Sequence, residues 1–219
     1  MTAGFDHVRT WIFDLDHTLY PPSARLFDQI EARMREWMVR DLGVDAAEAD
    51  RLRALYWAEH GTTLAGLMAR HGTHPDAFLR HVHEIDLRAL TPDPALAGAL
   101  AALPGRRIVF TNGTAEYAGR VLAARGLTGL FDAVYGIEEA GLVPKPHEAA
   151  FAAIRAADGF DPARAAMFED EARNLLVPHA WGMETVHVAP ARAGGPHVRH
   201  HAPDLAAFLR AAPGLAVGA

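Results

Sequence analysis

Trp11-Ile12-Phe13-Asp14-Leu15-Asp16-His17-Thr18-Leu19-Tyr20 is the stretch that decides the fold. Three apolar residues run directly into two carboxylates separated by one residue. A short apolar run that ends in polar residues reads as a buried strand of a parallel sheet. The carboxyl end of such a strand is where an open α/β sheet places its ligands. Alternate residues share a strand face, so Asp14 and Asp16 start on one side. If the strand ends between them, side chain and backbone both turn toward one spot. Two crowded carboxylates repel unless a cation sits between them or one keeps its proton. Magnesium-assisted phosphoryl transfer needs such a pair. One carboxylate attacks phosphorus, the other handles the leaving group's proton, and the metal screens the charge. The plain alternative is a strand followed by a polar turn, where Asp and Thr are common.

The chain has 219 residues, enough for one good core and a small second domain. Half the residues are hydrophobic and 22% are charged, the composition of a globular protein. A formal net charge of -6 argues against a nucleic-acid polymer as partner, because that needs a basic face. With no cysteine, disulfides, thiol catalysis and thiolate metal sites are excluded. Met1 to Thr10 holds Asp6 and Arg9 and no apolar stretch, so no secretory signal is expected. No apolar run reaches membrane-spanning length, and a cytoplasmic location is the expectation.

After Tyr20, Pro21-Pro22-Ser23 is a stiff exit. Ile30, Met34, Trp37 and Met38 then recur at helical spacing, and Gly43 ends that helix. Ala46 to Met68 is a second helical region broken at Gly61, with Leu52, Leu55 and Tyr56 on one stripe. Pro75 opens a third, striped by Phe78, Val82 and Ile85. Residues 23–90 contain no convincing strand, and Thr91-Pro92-Asp93-Pro94 closes the block. From there strands and helices alternate. Strands are expected at Arg107–Phe110, Ala133–Tyr135, Ala165–Phe168 and Thr185–Val188. Helices are expected at Ala95–Leu103, Ala115–Arg125, Pro146–Ala157, Glu171–Trp181 and Asp204–Ala211. Five short strands with intervening helices define an α/β fold, a doubly wound parallel sheet. Residues 1–22 and 91–219 read as that α/β core. Residues 23–90 are too long for a crossover and read as a helical cap inserted after the first strand.

Three later positions fall on the same sheet edge as Asp14. The Thr111 hydroxyl and the N–H groups of Asn112 and Gly113 are placed to hold phosphate oxygens, though Thr and Asn also serve as helix caps. Lys145 lies between Pro144 and Pro146, which fix its backbone and suit a lysine aimed at an anion. Glu169 and Asp170, with Asn174 one helical turn on, are placed to complete a magnesium shell or to cap a helix.

The order Asp-x-Asp-x-Thr, Thr-Asn, proline-flanked lysine, acidic pair resembles the four motifs of the haloacid dehalogenase-like superfamily across nearly the whole chain. That superfamily's Rossmann-like core carries a smaller cap after the first motif. Phe13–Tyr20, Phe110-Thr111-Asn112-Gly113 and Phe168-Glu169-Asp170 look more closely like its pyrimidine 5'-nucleotidase branch. The resemblance implies that Asp14 is the nucleophile and forms an aspartyl-phosphate. It implies that Asp16 is the general acid and then base, with its carbonyl on magnesium. Thr111 and Lys145 would hold the phosphate, and Lys145 would also screen the nucleophile. Asp170 would bind the metal directly, with Glu169 and Asn174 as outer partners. Glu169 departs from the more usual aspartate, and His17 stands where another polar residue is common.

The thirteen histidines include His71 with His74, His81 with His83, and His197 with His200 and His201, and none of these sets has zinc-ligand spacing. They read as surface or capping residues. Trp37, Met34 and Met38 read as cap core. Tyr56 and Trp57 are placed either to stack on a base or to pack. The resulting expectation is a magnesium-dependent phosphatase of a small phosphorylated metabolite, first a pyrimidine nucleoside 5'-monophosphate. Phosphoglycolate or a sugar phosphate, a phosphomutase, a hydrolytic dehalogenase and a non-catalytic nucleotide-binding module are the alternatives.

Overall fold

The computed structural model describes residues 4–211. β1 (Thr10–Phe13) is buried at every position, as a central parallel strand covered on both faces must be. A single 3-10 turn at Pro22–Ala24 leads into α1 (Leu26–Leu42), α2 (Ala46–His60), α3 (Thr63–His71) and α4 (Pro75–Val82). Then come α5 (Pro94–Ala101), β2 (Arg106–Phe110), α6 (Ala115–Ala124), β3 (Ala133–Tyr135) and α7 (Glu148–Asp158). The chain continues through β4 (Ala165–Glu169), α8 (Leu176–Ala180), β5 (Glu184–His187), β6 (His200–His201) and α9 (Leu205–Ala211).

All pairings are parallel, in the order β3-β2-β1-β4-β5-β6. The chain winds one way from β1 through β2 and β3, and the other way through β4, β5 and β6. A ligand crevice belongs at the carboxyl ends beside that reversal. Register delivers the residues to it. Phe13 faces Val109 on one side and Phe168 on the other, so the next residues along are Asp14, Phe110 and Glu169.

α1 to α4 pack on one another, and their ends are chemically marked. Asp45 caps α2 by accepting from the Glu48 N–H, and Thr62 caps α3 by accepting from the Ala65 N–H. Gly66 brings α3 hard against α2: a Cβ there would lie 2.3 Å from the Tyr56 side chain. Leu26, Ile30, Trp37 and Met38 of α1 and Phe78, Leu79 and Val82 of α4 are buried. They join Phe13, Leu19 and Tyr20 in one continuous apolar cluster, so the helical insert shares its core with one face of the sheet. Among the described residues no helix is long and apolar enough to cross a membrane.

Three expectations are corrected. There is a sixth strand, β6, only two residues long and too short to leave a periodic signal. Glu171–Trp181 is not one helix but a 3-10 turn at Ala172–Leu175 followed by α8. Pro178 has no N–H for the Asn174 carbonyl, and its ring would clash there in a continuous helix. The helix expected from Pro146 begins at Glu148, because His147 is still extended and its N–H donates back to the Pro144 carbonyl.

Candidate active site

Asp14 is the first residue beyond β1, and its N–H still donates to the Phe168 carbonyl at 2.9 Å. Its Oδ1 accepts from Lys145 Nζ at 2.7 Å. The same ammonium donates to Glu169 Oε2 at 2.6 Å and to the Phe110 carbonyl at 2.9 Å. An ammonium has three protons, and all three are committed. The lysine backbone is pinned from the end of β2. Its N–H donates to Asn112 Oδ1 at 2.8 Å, and Asn112 Nδ2 donates to its carbonyl at 3.2 Å.

The electrostatics follow from burial. Burial, then the neighbouring Glu169 charge, push Asp14 up to about 7 against the pull of Lys145. Burial likewise pushes Glu169 up to about 7. For Lys145, burial works against the ammonium, but Asp14 and Glu169 outweigh it and hold the group above its usual value.

The chain turns back after Leu15, whose carbonyl accepts from the N–H groups of Thr18 and Leu19. That turn carries Asp16 out of line with Asp14 and under two phenols. The hydroxyls of Tyr20 and Tyr117 donate to Asp16 Oδ1 at 2.5 and 2.9 Å. Burial pushes this carboxyl above the ordinary range, and the two hydroxyls pull it partly back. His17, at φ 59°, sets Nδ1 3.5 Å from Asp170 Oδ2. Its hydrogen bond to Asp170 raises the imidazole above its usual value.

Asp14, Glu169 and Asp170 each place one carboxylate oxygen within 4.8 Å of the others. Asn174 Oδ1 nearby is buried with no hydrogen-bond partner among the described residues. An all-oxygen set with an excess of buried negative charge, and an acceptor left over, fits a hard divalent cation such as magnesium. Glu169, expected as an outer partner of the metal, stands in this acidic cluster and is also the second counterion of Lys145. Asp16 keeps its carboxylate out of the cluster.

The turn after β2, where a phosphate cradle was expected, differs in detail from that expectation. Thr111 is fully buried, and its Oγ1 accepts from the Gly113 N–H at 2.9 Å. The Gly113 N–H is thereby occupied and the Asn112 side chain is engaged with the Lys145 backbone, while both residues border the crevice. The backbone here is tight, because a Cβ on Gly136 would lie 2.4 Å from the Ala115 nitrogen. Tyr117 escapes the sequence reading because it lies on α6, outside the Thr111-Asn112-Gly113 motif, and meets Asp16 only in the fold. Tyr20 stood in the deciding stretch, and its spacing of four from Asp16 was the available signal.

Above this floor lies a cavity of about 770 Å3. Phe27, Ile30, Met34, Leu64, Phe78 and Val82 from the insert form much of its wall. Trp57 stands at it, 46% exposed, with the Arg173 guanidinium 3.6 Å from its ring centre. Tyr56 is turned away, buried with its hydroxyl 2.6 Å from His71 Nε2, and neither it nor His60 lines the cavity. His83, read as a surface or capping histidine, is instead buried and stacked on Tyr117 at 4.5 Å and 11°. His200 also turns inward, 2.8 Å from buried Glu184.

A buried carboxylate at the end of the central strand, a lysine against it and an acidic cluster under an inserted helical layer describe a hydrolase built on a doubly wound sheet. Residues 8–179 match the family of haloacid dehalogenase-like hydrolases, and the chain belongs to it. It is 31% identical over 160 residues to the (S)-2-haloacid dehalogenase of Xanthobacter autotrophicus, covering 69% of this chain and 58% of that one. It is 28% identical over 138 residues to phosphate metabolism protein 8 of Saccharomyces cerevisiae, covering 58% and 42%. In both, the match spans less than two thirds of the relative. The solved Xanthobacter dehalogenase has the same fold, with TM-score 0.59 and 18% identity over 93% of this chain and 99% of that one. So does a HAD phosphatase from Thermococcus onnurineus, with TM-score 0.59 and 19% identity over 93% and 96%.

Proposed function

We propose that the chain is a magnesium-dependent phosphatase that hydrolyses a small phosphomonoester, first a pyrimidine nucleoside 5'-monophosphate, through an aspartyl-phosphate on Asp14. The relatives include both dehalogenase and phosphate chemistry, and the observation that carries the choice is Asp16. A departing halide needs no proton, whereas a departing alkoxide does. A partly buried carboxyl, held by two hydroxyls beside the nucleophile and raised above its ordinary range, is built to supply one.

In this reading an Asp14 oxygen attacks phosphorus while the bond to the leaving oxygen breaks. Asp16 gives that oxygen its proton, then takes one from the water that attacks the phosphoryl group and frees Asp14. Lys145 draws Asp14 toward its anionic form and fixes it in place. Thr111 and the turn after β2 border the phosphate position. A magnesium ion bound by Asp14, Glu169 or Asp170 would screen the phosphate from these carboxylates.

Residues 23–90 act as a cap over the leaving group. The apolar wall and Trp57 favour a group with a flat ring face to stack, such as a base, and Glu31 and Asp50 in the same wall disfavour a second anion. The test is kcat/KM for UMP and CMP against AMP, phosphoglycolate and a hexose phosphate. A pyrimidine advantage supports the substrate reading. Equal rates on all of them overturn it and leave the phosphatase reading standing.

A further inference from the structure

Asp16 takes both of its hydrogen bonds on one oxygen. Tyr20 lies in the turn after β1 and Tyr117 on α6, yet both hydroxyls reach Oδ1, and they sit 3.5 Å from each other. Both phenols are buried, at 1% and 0% exposure, so neither is held there by the surface. Tyr117 is fixed further by the flat stack of His83, just beyond the end of α4. A neutral phenol has one proton to give. A carboxyl oxygen that receives two such protons is the carbonyl-like one, and the acid's own proton belongs on the other. No hydrogen bond falls on Asp16 Oδ2 among the described residues, and Asp16 lines the cavity.

We propose that Tyr20 and Tyr117 are positioning residues that occupy Oδ1 and present Oδ2, with its proton, to the leaving-group oxygen. This rests on the reading of Asp16 as general acid. As the phosphorus–oxygen bond breaks, its electron pair stays on the leaving oxygen and takes the Oδ2 proton. The carboxylate left behind keeps both phenol hydrogen bonds, which strengthen because the acceptor is now charged. The pair therefore favours the state after proton transfer. In the second half, Oδ2 is already aimed at the incoming water. His83 ties this arrangement to the insert, so the acid is set by the same helical layer that roofs the substrate.

The experiment uses Tyr117→Phe, Tyr20→Phe and the double variant, which keep the rings and remove the hydroxyls. Kinetics are measured on phosphomonoesters whose leaving groups run from p-nitrophenol to simple alcohols. With alkyl phosphates, kcat/KM, which reports the steps up to loss of the leaving group, should fall roughly 10- to 100-fold, part of the usual worth of a positioned acid. With p-nitrophenyl phosphate kcat/KM should change less than about 3-fold, because that leaving group needs little protonation. Equal losses of kcat/KM on every substrate, or no loss on any, overturn the proposal. Asp16→Asn in the same series separates the two readings. If its loss is the same for all leaving groups, the acid role itself fails. If its loss depends on the leaving group while the tyrosine variants' does not, only the positioning fails. Circular dichroism and thermal unfolding identify a variant that has lost its fold, and either single variant then suffices.

Discussion

Lys145 is the cation on which the site's charge balance turns. Two buried carboxylates share its ammonium, and burial already pushes both toward neutrality. Lys145→Met would leave two uncompensated acids in a low-dielectric site. Removing one member of a buried ion pair costs about 3–5 kcal/mol, and a loss of that size is expected in urea unfolding without magnesium. Adding Glu169→Gln should recover part of it. No recovery would mean the two acids are not competing for the lysine. Asp14→Asn keeps the shape and removes the attacking charge, so a folded variant should show no turnover. Substantial activity in that folded variant would falsify covalent catalysis at Asp14. At this scale the sequence was readable where chemistry concentrates in motifs, at Asp14, Asp16, Lys145 and Asp170. Glu169's pairing with Lys145 was not readable, because it depends on how β4 registers against the loop after β3. Tyr117 was invisible for the same kind of reason: α6 delivers it to Asp16 from 101 residues away.

Elements were legible in proportion to their length. The helices of the insert declared themselves through apolar spacing and end signals, with Gly43 and Gly72 in left-handed conformation at the ends of α1 and α3. β6 and the broken segment before α8 did not, because two residues carry no period and Pro178 overrode the helical pattern. Contact between elements produces its own tests. Gly66→Val would drive a side chain into Tyr56, so α2 and α3 must part, at a cost of at least about 1–3 kcal/mol measured by thermal unfolding. Where α4 meets α6, burial pushes His83 down from 6.5 to about 4. The unfolded chain therefore binds this proton at a higher pH than the folded one. The histidine's contribution is intact above about 6.5, erodes as pH falls and levels off below about 4. Its full extent is about 3 kcal/mol. Unfolding free energies from pH 8 to 4 should fall less steeply in His83→Phe than in the unchanged protein. Parallel curves would show that His83 takes up its proton in the fold as readily as in the unfolded chain.

For the molecule as a whole, the acidic cluster and Lys145 stand at the sheet edge, while the wall of the cavity comes largely from the insert. In the proposed reading the sheet groups meet only the phosphoryl end, so discrimination falls to residues such as Trp57. Trp57→Ala should lower kcat/KM for a nucleotide roughly 10-fold, as expected for losing about 1–3 kcal/mol of base stacking. It should leave p-nitrophenyl phosphate less affected. Equal effects on both would make the tryptophan a support for Arg173 alone. The doubly wound core was legible because motif order follows strand order in such a sheet. Which insert side chains face the cavity was not legible, since Tyr56 and Trp57 are neighbours in sequence yet point to different surroundings. The central claim is that this site transfers phosphoryl groups. Its most direct test is a parallel assay of phosphate released from p-nitrophenyl phosphate and chloride released from 2-chloropropionate, each with magnesium and with excess chelator. Phosphate release that needs magnesium, with no chloride release, is the predicted result. Chloride release that persists in chelator, without phosphate release, would contradict it.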